Sequence, residues 1–340
     1  MAIFLKIFYK TFSIFLSVVI LIFLIISIFS FFDTKKSRDF SFISGDKNSA
    51  NIIAILELSG LIINSNYQFS SLLNSFVITP QKLKNYLEEL NKSKPDVIII
   101  SINSPGGTVS ASKNLYDIIL DFKDKNEIEI IFHTNELLAS GGYWAATSGD
   151  QIYASYGSVI GSIGVKGPDW FFYNNPTSIS SGLFGNKVET EKGIEIYSNI
   201  AGKSKDIFNP FRKPTSNEIN QLQNMVDEIY DEFVRIVSKE RKIEIKILED
   251  EIGALIYTSS KAKNLNLIDD QISLENLILK IIKDKRYVDY KILKKHNSKK
   301  SLLREVIEGS IYSTKNNLEI ECVKLRSSIS AILSYEATGC

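Results

Sequence analysis

The sequence is poor in the side chains that most metal and redox chemistry needs. Among 340 residues there are two histidines, His133 and His296, and two cysteines, Cys322 and Cys340. A His-rich metal site or multi-histidine relay is thereby excluded, and so are zinc ribbons and iron–sulfur clusters. Neither sign of charge is in excess, since 40 Lys and Arg face 39 Asp and Glu for a formal net charge of +1. With no basic surplus to spread over a groove, nucleic acid is not an expected partner. At 44% hydrophobic and 23% charged residues the chain has the balance of a globular protein. No internal repeat is visible.

What the chain does have begins with an uncharged run of 22 residues, TFSIFLSVVILIFLIISIFSFF (11–32). As a helix this run spans roughly 33 Å, close to the hydrocarbon core of a bilayer. It is longer than the apolar core of a secretory signal peptide, and no A-x-A-like cleavage site follows it. An uncleaved anchor after a short segment 1–10 is therefore expected. Lys6 and Lys10 precede the run and Lys35, Lys36 and Arg38 follow it, so flanking charge leaves the orientation open.

Residues 33–50 are polar and read as a linker. Beyond them strands and helices alternate. NIIAILELSGLI (51–62), DVIIISI (96–102) and IEIIFHT (128–134) are strand candidates, the second apolar enough for burial on both faces. A helix is expected from Pro80, with Thr79 as its cap, and another over roughly 111–125. Thr215 and Glu218 form a capping box at the start of a long helix. Its apolar positions are Ile219, Leu222, Val226, Ile229, Phe233, Ile236 and Val237. Such alternation predicts an α/β fold with a largely parallel sheet.

Two glycine clusters suggest phosphate binding and fail. Gly202-Lys203-Ser204 lacks the P-loop's first glycine, because position 197 is Tyr197, and Gly157, Gly161 and Gly164 have the wrong spacing for a dinucleotide loop. More informative is Ser104-Pro105-Gly106-Gly107, directly after a strand, followed some thirty residues on by Ser140-Gly141-Gly142 at an expected helix start. A serine there has a plain role as N-cap. Its sharper role is nucleophile, with the oxyanion held by the N–H groups of Gly107 and Gly141. His133 reads as a packed histidine of its strand and His296 as a solvated one in a polar tail. That leaves lysine as the base of a Ser-Lys dyad, and composition does not select which lysine.

INSPGGTVSASKNLYDII (102–119), LLASGGYWAATSGDQIYASYGSVIGSIGV (137–165) and IAGKSKDIFNP (200–210) resemble the signal peptide peptidase A family of membrane-bound serine proteases. So do QNMVDEIYDEFVRIVSKER (223–241) and GALIYTSSKAKNLNLIDD (253–270), so that the resemblance spans roughly residues 50–280 in order. It implies a Clp protease- and crotonase-like spiral of ββα units over 51–285. It also implies Ser140 as nucleophile and Lys205, in GKSKD, as general base, with Lys203 as the rival assignment. Ser162 in GSIGV would orient the lysine ammonium, and Gly107 would donate to the oxyanion. The resemblance implies no metal and no cofactor. The expected partners are hydrophobic peptides such as signal-peptide remnants, membrane lipid around the N-terminal helix, and further copies in a homo-oligomeric ring. The expected location is the bacterial plasma membrane, with the catalytic domain on the extracytoplasmic side. Three rival readings are a Ser-Lys protease acting on another membrane protein, a crotonase-like acyl-CoA enzyme or binder, and a non-catalytic membrane scaffold.

The chain departs from the family pattern twice. Ser140 and Lys205 lie further apart than in short bacterial members, the excess falling in 168–199, either a groove-lining excursion or a plain loop insertion. Residues 286–340 extend past the family's usual end and read as an extension of open role.

Overall fold

The computed structural model describes residues 2–32, 40–64, 77–174, 176–180, 187–195 and 199–295. After an N-terminal helix α1 (Ala2–Phe32) come β1 (Phe40–Gly45), β2 (Ile52–Ser59), β3 (Leu61–Ile62), β4 (Val77–Ile78), α2 (Pro80–Asn91) and β5 (Val97–Asn103). Helix α3 (Val109–Asn126) leads to β6 (Glu129–Thr134), β7 (Leu137–Ala139), the short α4 (Gly141–Ala146), β8 (Gln151–Ala154) and β9 (Val159–Gly161). A hairpin of β10 (Ser178–Ser180) and β11 (Lys187–Glu189) precedes the long α5 (Ser216–Arg241). The remainder is α6 (Ile245–Ile247), a π-helical turn Leu248–Ile252, β12 (Ile256–Thr258), α7 (Ser259–Asn264), β13 (Asp270–Gln271), α8 (Leu274–Asp284) and β14 (Lys291–Lys295).

Seven strands form one sheet in the order β1-β14-β2-β5-β6-β8-β13, parallel throughout except for β1, which runs antiparallel to β14 at the edge. The fold is α/β. In β5 the side chains alternate between the two faces, as a pleated strand requires. Ile98 and Ile100 join the larger core under α2, α3, α4 and α5, whereas Val97 and Ile99 pack with Leu277 and Ile281 of α8 on the opposite face. Both sets are fully buried, which accounts for the uninterrupted apolar run. Helix α2 forms where its caps predict, with the Thr79 side chain accepting from the Lys82 N–H, Pro80 in the first turn, and Leu83, Leu87 and Leu90 buried.

Three expectations are redrawn. The apolar run 51–62 is two strands, because Gly60 takes φ +110° and turns the chain between β2 and β3. Within the expected linker 33–50, residues 40–45 form β1, and within the expected extension 286–340, residues 291–295 form β14. β14 inserts between β1 and β2, so the domain's sheet draws on both regions. Neither strand stands out in the sequence, β14 being KILKK with three lysines in five residues and β1 a short FSFISG inside a polar stretch. Residues 33–39 and 296–340, with His296, Cys322 and Cys340, lie outside the described residues, as do 175, 181–186 and 196–198 of the excursion.

α1 is 31 residues long, with exposed side chains over residues 7–21. Among the described residues no helix is long and apolar enough to cross a membrane. The span expected over 11–32 rests on the sequence alone.

Candidate active site

A second, three-stranded sheet in the order β12-β9-β7 builds the site. β7 and β9 are parallel, pairing Ala139 with Gly161, so the residues just past them, Ser140 and Ser162, emerge side by side. The Ser140 N–H donates to the Gly161 carbonyl at 2.9 Å, and the Ser162 N–H to the Leu255 carbonyl at 2.7 Å. Both serines have positive φ, 52° and 54°. Side chains rarely tolerate this region, and such strain costs of order 1–3 kcal/mol.

Ser140 is 2% exposed and stands at the N-cap of α4, but its side chain makes no cap hydrogen bond. The plain role of a serine at that position is therefore not the one it plays. Helix α4 is buried along its whole length. Tyr143 Oη donates to the Leu267 carbonyl at 2.8 Å, and burial pushes the Tyr143 phenol up. Trp144 stacks on Phe233 of α5, ring centroids 4.5 Å apart. The serine thus sits on a fixed platform.

The Ser104–Gly107 loop is pressed against Ser140 so closely that only glycine fits. A Cβ on Gly106, whose φ is +103°, would lie 2.7 Å from the Gly141 nitrogen and 3.1 Å from Ser140 Oγ. One on Gly107 would fall 1.8 Å from the Ile62 carbonyl oxygen, and one on Gly141 would lie 3.3 Å from the Gly107 nitrogen. The amides of Gly107 and Gly141 therefore converge beside the Ser140 hydroxyl. The Gly141 N–H begins a helix and has no intrahelical acceptor, and among the described residues the Gly107 N–H donates to none. The loop is pinned on both sides of Gly107, by Ile62 N–H to the Gly106 carbonyl at 2.8 Å and Thr108 N–H to the Ile62 carbonyl at 2.9 Å. Fully buried Ser104 completes it, donating to the Gly60 carbonyl at 2.7 Å and accepting from the Gly106 N–H at 3.1 Å.

Ser140, Ser162, Gly107 and Gly141 are thus brought together, whereas Lys205 is not. Lys205 lies in a turn over 203–208, exposed, and among the described residues its ammonium makes no hydrogen bond or ion pair with Ser140 or any other group. Lys203 is equally exposed. That turn is tied to the head of α5. Arg212 donates to both oxygens of Asp206, at 2.7 and 2.8 Å, and to both oxygens of Glu218, at 2.8 and 3.0 Å. The guanidinium holds both carboxyls well below their usual range.

His133 is fully buried in β6, with Nε2 3.0 Å from the Ile272 carbonyl, and burial lowers its pKa. It serves packing and lies outside the site. Among the described residues, no three His, Cys, Asp or Glu side chains converge as metal ligands. Reasoning from motifs passed over Ser104 as a loop clamp, although SPGG contains it, and had no signal for Arg212.

Residues 123–288 match the model of Peptidase family S49. The chain is 31% identical over 211 residues to a putative protease of Methanocaldococcus jannaschii, covering 60% of this chain and 63% of that one. It is 27% identical over 218 residues to a putative signal peptide peptidase SppA of Enterococcus faecium, covering 63% of this chain and 59% of that one. The chain thus spans about three fifths of the length of these curated relatives. Among solved structures, a mutant of a membrane-bound stomatin-specific protease matches 68% of this chain and 85% of its own, at 15% identity and a TM-score of 0.40. The segment that matches Peptidase family S49 contains Ser140, Gly141, Ser162 and Lys205.

Proposed function

We propose that this chain is a membrane-anchored serine endopeptidase that degrades hydrophobic peptides of the signal-peptide type. Ser140 is the nucleophile, the Gly107 and Gly141 N–H groups hold the oxyanion, and Lys205 is the general base. The observation that carries the reading is the strained, buried Ser140, its hydroxyl unused as a cap and flanked by two converging glycine amides. In the reaction, neutral Lys205 takes the Ser140 proton as Oγ attacks the scissile carbonyl, then gives it to the departing amine. It next activates the water that cleaves the acyl-enzyme. Ser162 would accept from the lysine and orient it, a role its position next to Ser140 across the β7–β9 pair supports.

A lysine base must be neutral, which requires a dry setting that an exposed turn lacks. We infer that the setting forms when copies of the chain assemble in a ring, the Lys205 turn of one copy covering the Ser140 mouth of the next. Residues 11–32 would anchor the ring in a bacterial plasma membrane, with the grooves on the extracytoplasmic side where apolar peptide remnants are released.

The test is hydrolysis of an internally quenched apolar peptide by the detergent-solubilised full chain. Wild type and Lys203→Ala are expected to cleave it, and Ser140→Ala and Lys205→Ala to be inactive. Activity in Ser140→Ala would overturn the mechanism, and an inactive Lys203→Ala beside an active Lys205→Ala would move the base by two residues.

A further inference from the structure

The turn carrying Lys205 has little to fix it locally. It contains two non-glycine residues at positive φ, Ser204 at 60° and Phe208 at 68°. Its own hydrogen bonds are short-range ones of 3.0–3.3 Å, such as Lys205 N–H to the Gly202 carbonyl and Asn209 N–H to the Asp206 carbonyl. No strand or helix holds it in register. Its anchorage comes from the residues flanking Lys205: the Ser204 side chain hydrogen-bonds Glu218, and Asp206 makes the stronger, forked link to Arg212.

Asp206 is gripped by the Arg212 Nε and Nη2 in a fork, the geometry that makes guanidinium–carboxylate pairs directional. The other edge of the same guanidinium grips Glu218, whose side chain is only 3% exposed. Glu218 is itself fixed to the helix by the capping box, accepting from the Thr215 N–H at 2.9 Å and Thr215 Oγ1 at 3.0 Å. The guanidinium also lies over the Trp170 ring, 5.3 Å from its centroid, and Trp170 Nε1 donates to the Asn209 carbonyl at 3.3 Å. One cation thus joins the outgoing arm at Trp170, the lysine turn at Asp206 and the first turn of α5.

We propose that Arg212 is a positioning residue for the general base: by bridging Asp206 to Glu218 it fixes the Lys205 turn on the head of α5. The inference rests on the reading of Lys205 as base. Arg212 touches neither substrate nor Ser140, and acts by setting where the Lys205 backbone stands. Lysine cannot replace it, because an ammonium lacks the planar set of donors that addresses two carboxylates at once. An ordinary partly exposed ion pair would contribute little to stability and nothing to turnover. The two roles therefore separate experimentally.

The experiment measures kcat, KM and melting temperature of the detergent-solubilised full chain on the internally quenched apolar peptide. The variants are Lys205→Ala, Arg212→Gln, Arg212→Lys, Asp206→Ala and the double Arg212→Gln/Asp206→Ala. Lys205→Ala should be inactive. Each Arg212 variant and Asp206→Ala should lose about tenfold or more in kcat, as displacement of a catalytic group does, with KM held within about twofold. The double variant should be no slower than the worse single, because both cut one link. Should Arg212→Gln fail to fold, Asp206→Ala and Arg212→Lys, which leave Glu218 a cation, decide alone. A kcat within twofold of wild type in Asp206→Ala or Arg212→Lys, beside an inactive Lys205→Ala, overturns the role of Arg212 and leaves the base standing. So does a kcat loss matched by an equal rise in KM. Activity in Lys205→Ala removes the base and this inference with it.

Discussion

Ser140 holds φ 52° and ψ −127°, a combination that suits glycine. At an ordinary position Gly is less stable than Ala by roughly 0.5–1 kcal/mol, through the entropy of the unfolded chain. Here the order should invert. Ser140→Ala and Ser140→Gly lose the same hydroxyl, so their difference isolates the backbone strain that the Cβ imposes. Calorimetry should find Ser140→Gly more stable than Ser140→Ala by about 1 kcal/mol, a rise in Tm of roughly 2–4 °C for a domain of this size. If Ser140→Gly melts below Ser140→Ala, the turn is not strained and the geometric case for a nucleophile weakens. The motifs SPGG and ASGG made this part of the site legible in the sequence. The motifs mark the glycines, but what crowds them is distant in sequence: backbone of Gly141 beside Gly106 and of Ile62 beside Gly107, and the Ser112 side chain beside Gly141. Ser104 and Ser112 were not legible at that resolution. The use of Ser104 depends on the Gly60 carbonyl 44 residues away, and Ser112 abuts Gly141 only once α3 and α4 have packed.

At the scale of the element, α5 shows what helical periodicity can and cannot disclose. Its capping box and seven apolar positions were readable, and the helix forms over Ser216–Arg241 with that box intact. Periodicity does not say where along a helix the partner lies. Phe233, Val234, Ile236 and Val237 are buried, whereas Ile219, on the same periodic face, is 52% exposed. Phe233→Ala removes the ring stacked on Trp144 and should cost about 3–5 kcal/mol in denaturant unfolding. Ile219→Ala should stay within about 0.5 kcal/mol in the single chain. A loss above 1 kcal/mol at Ile219 would mean that another copy covers this face in solution. The edge strand β1 and its neighbour β14 illustrate the opposite limit. β1 and β14 contain FSFISG and KILKK, whose pairing is long-range, so the first is hidden in a polar stretch read as a linker and the second in a segment beyond the family's usual end.

For the whole molecule, α5 separates the anchor of the Lys205 turn from the packing of the Ser140 helix. Glu218, which anchors the lysine turn through Arg212, and Phe233, which packs on the nucleophile's helix, are fifteen residues apart on one helix, about 22 Å along its axis. A lysine side chain reaches only about 6 Å along its four-carbon stem. If the arm keeps this place, a copy's own Lys205 does not meet its Ser140, and the base comes from a neighbour. No single-chain pattern could disclose this, since motifs report which residues are present and assembly decides which of them meet. The prediction is complementation. Ser140→Ala and Lys205→Ala should each be inactive alone, yet their co-expressed, co-purified mixture should regain activity. In a randomly mixed ring with head-to-tail contacts, a site works when its serine-bearing copy is followed by a lysine-bearing one. About a quarter of wild-type turnover is then expected. A co-purified mixture as inactive as either parent would place the lysine in its own copy's site, and the arm from 166 to 215 would then have to swing from the head of α5 to reach Ser140.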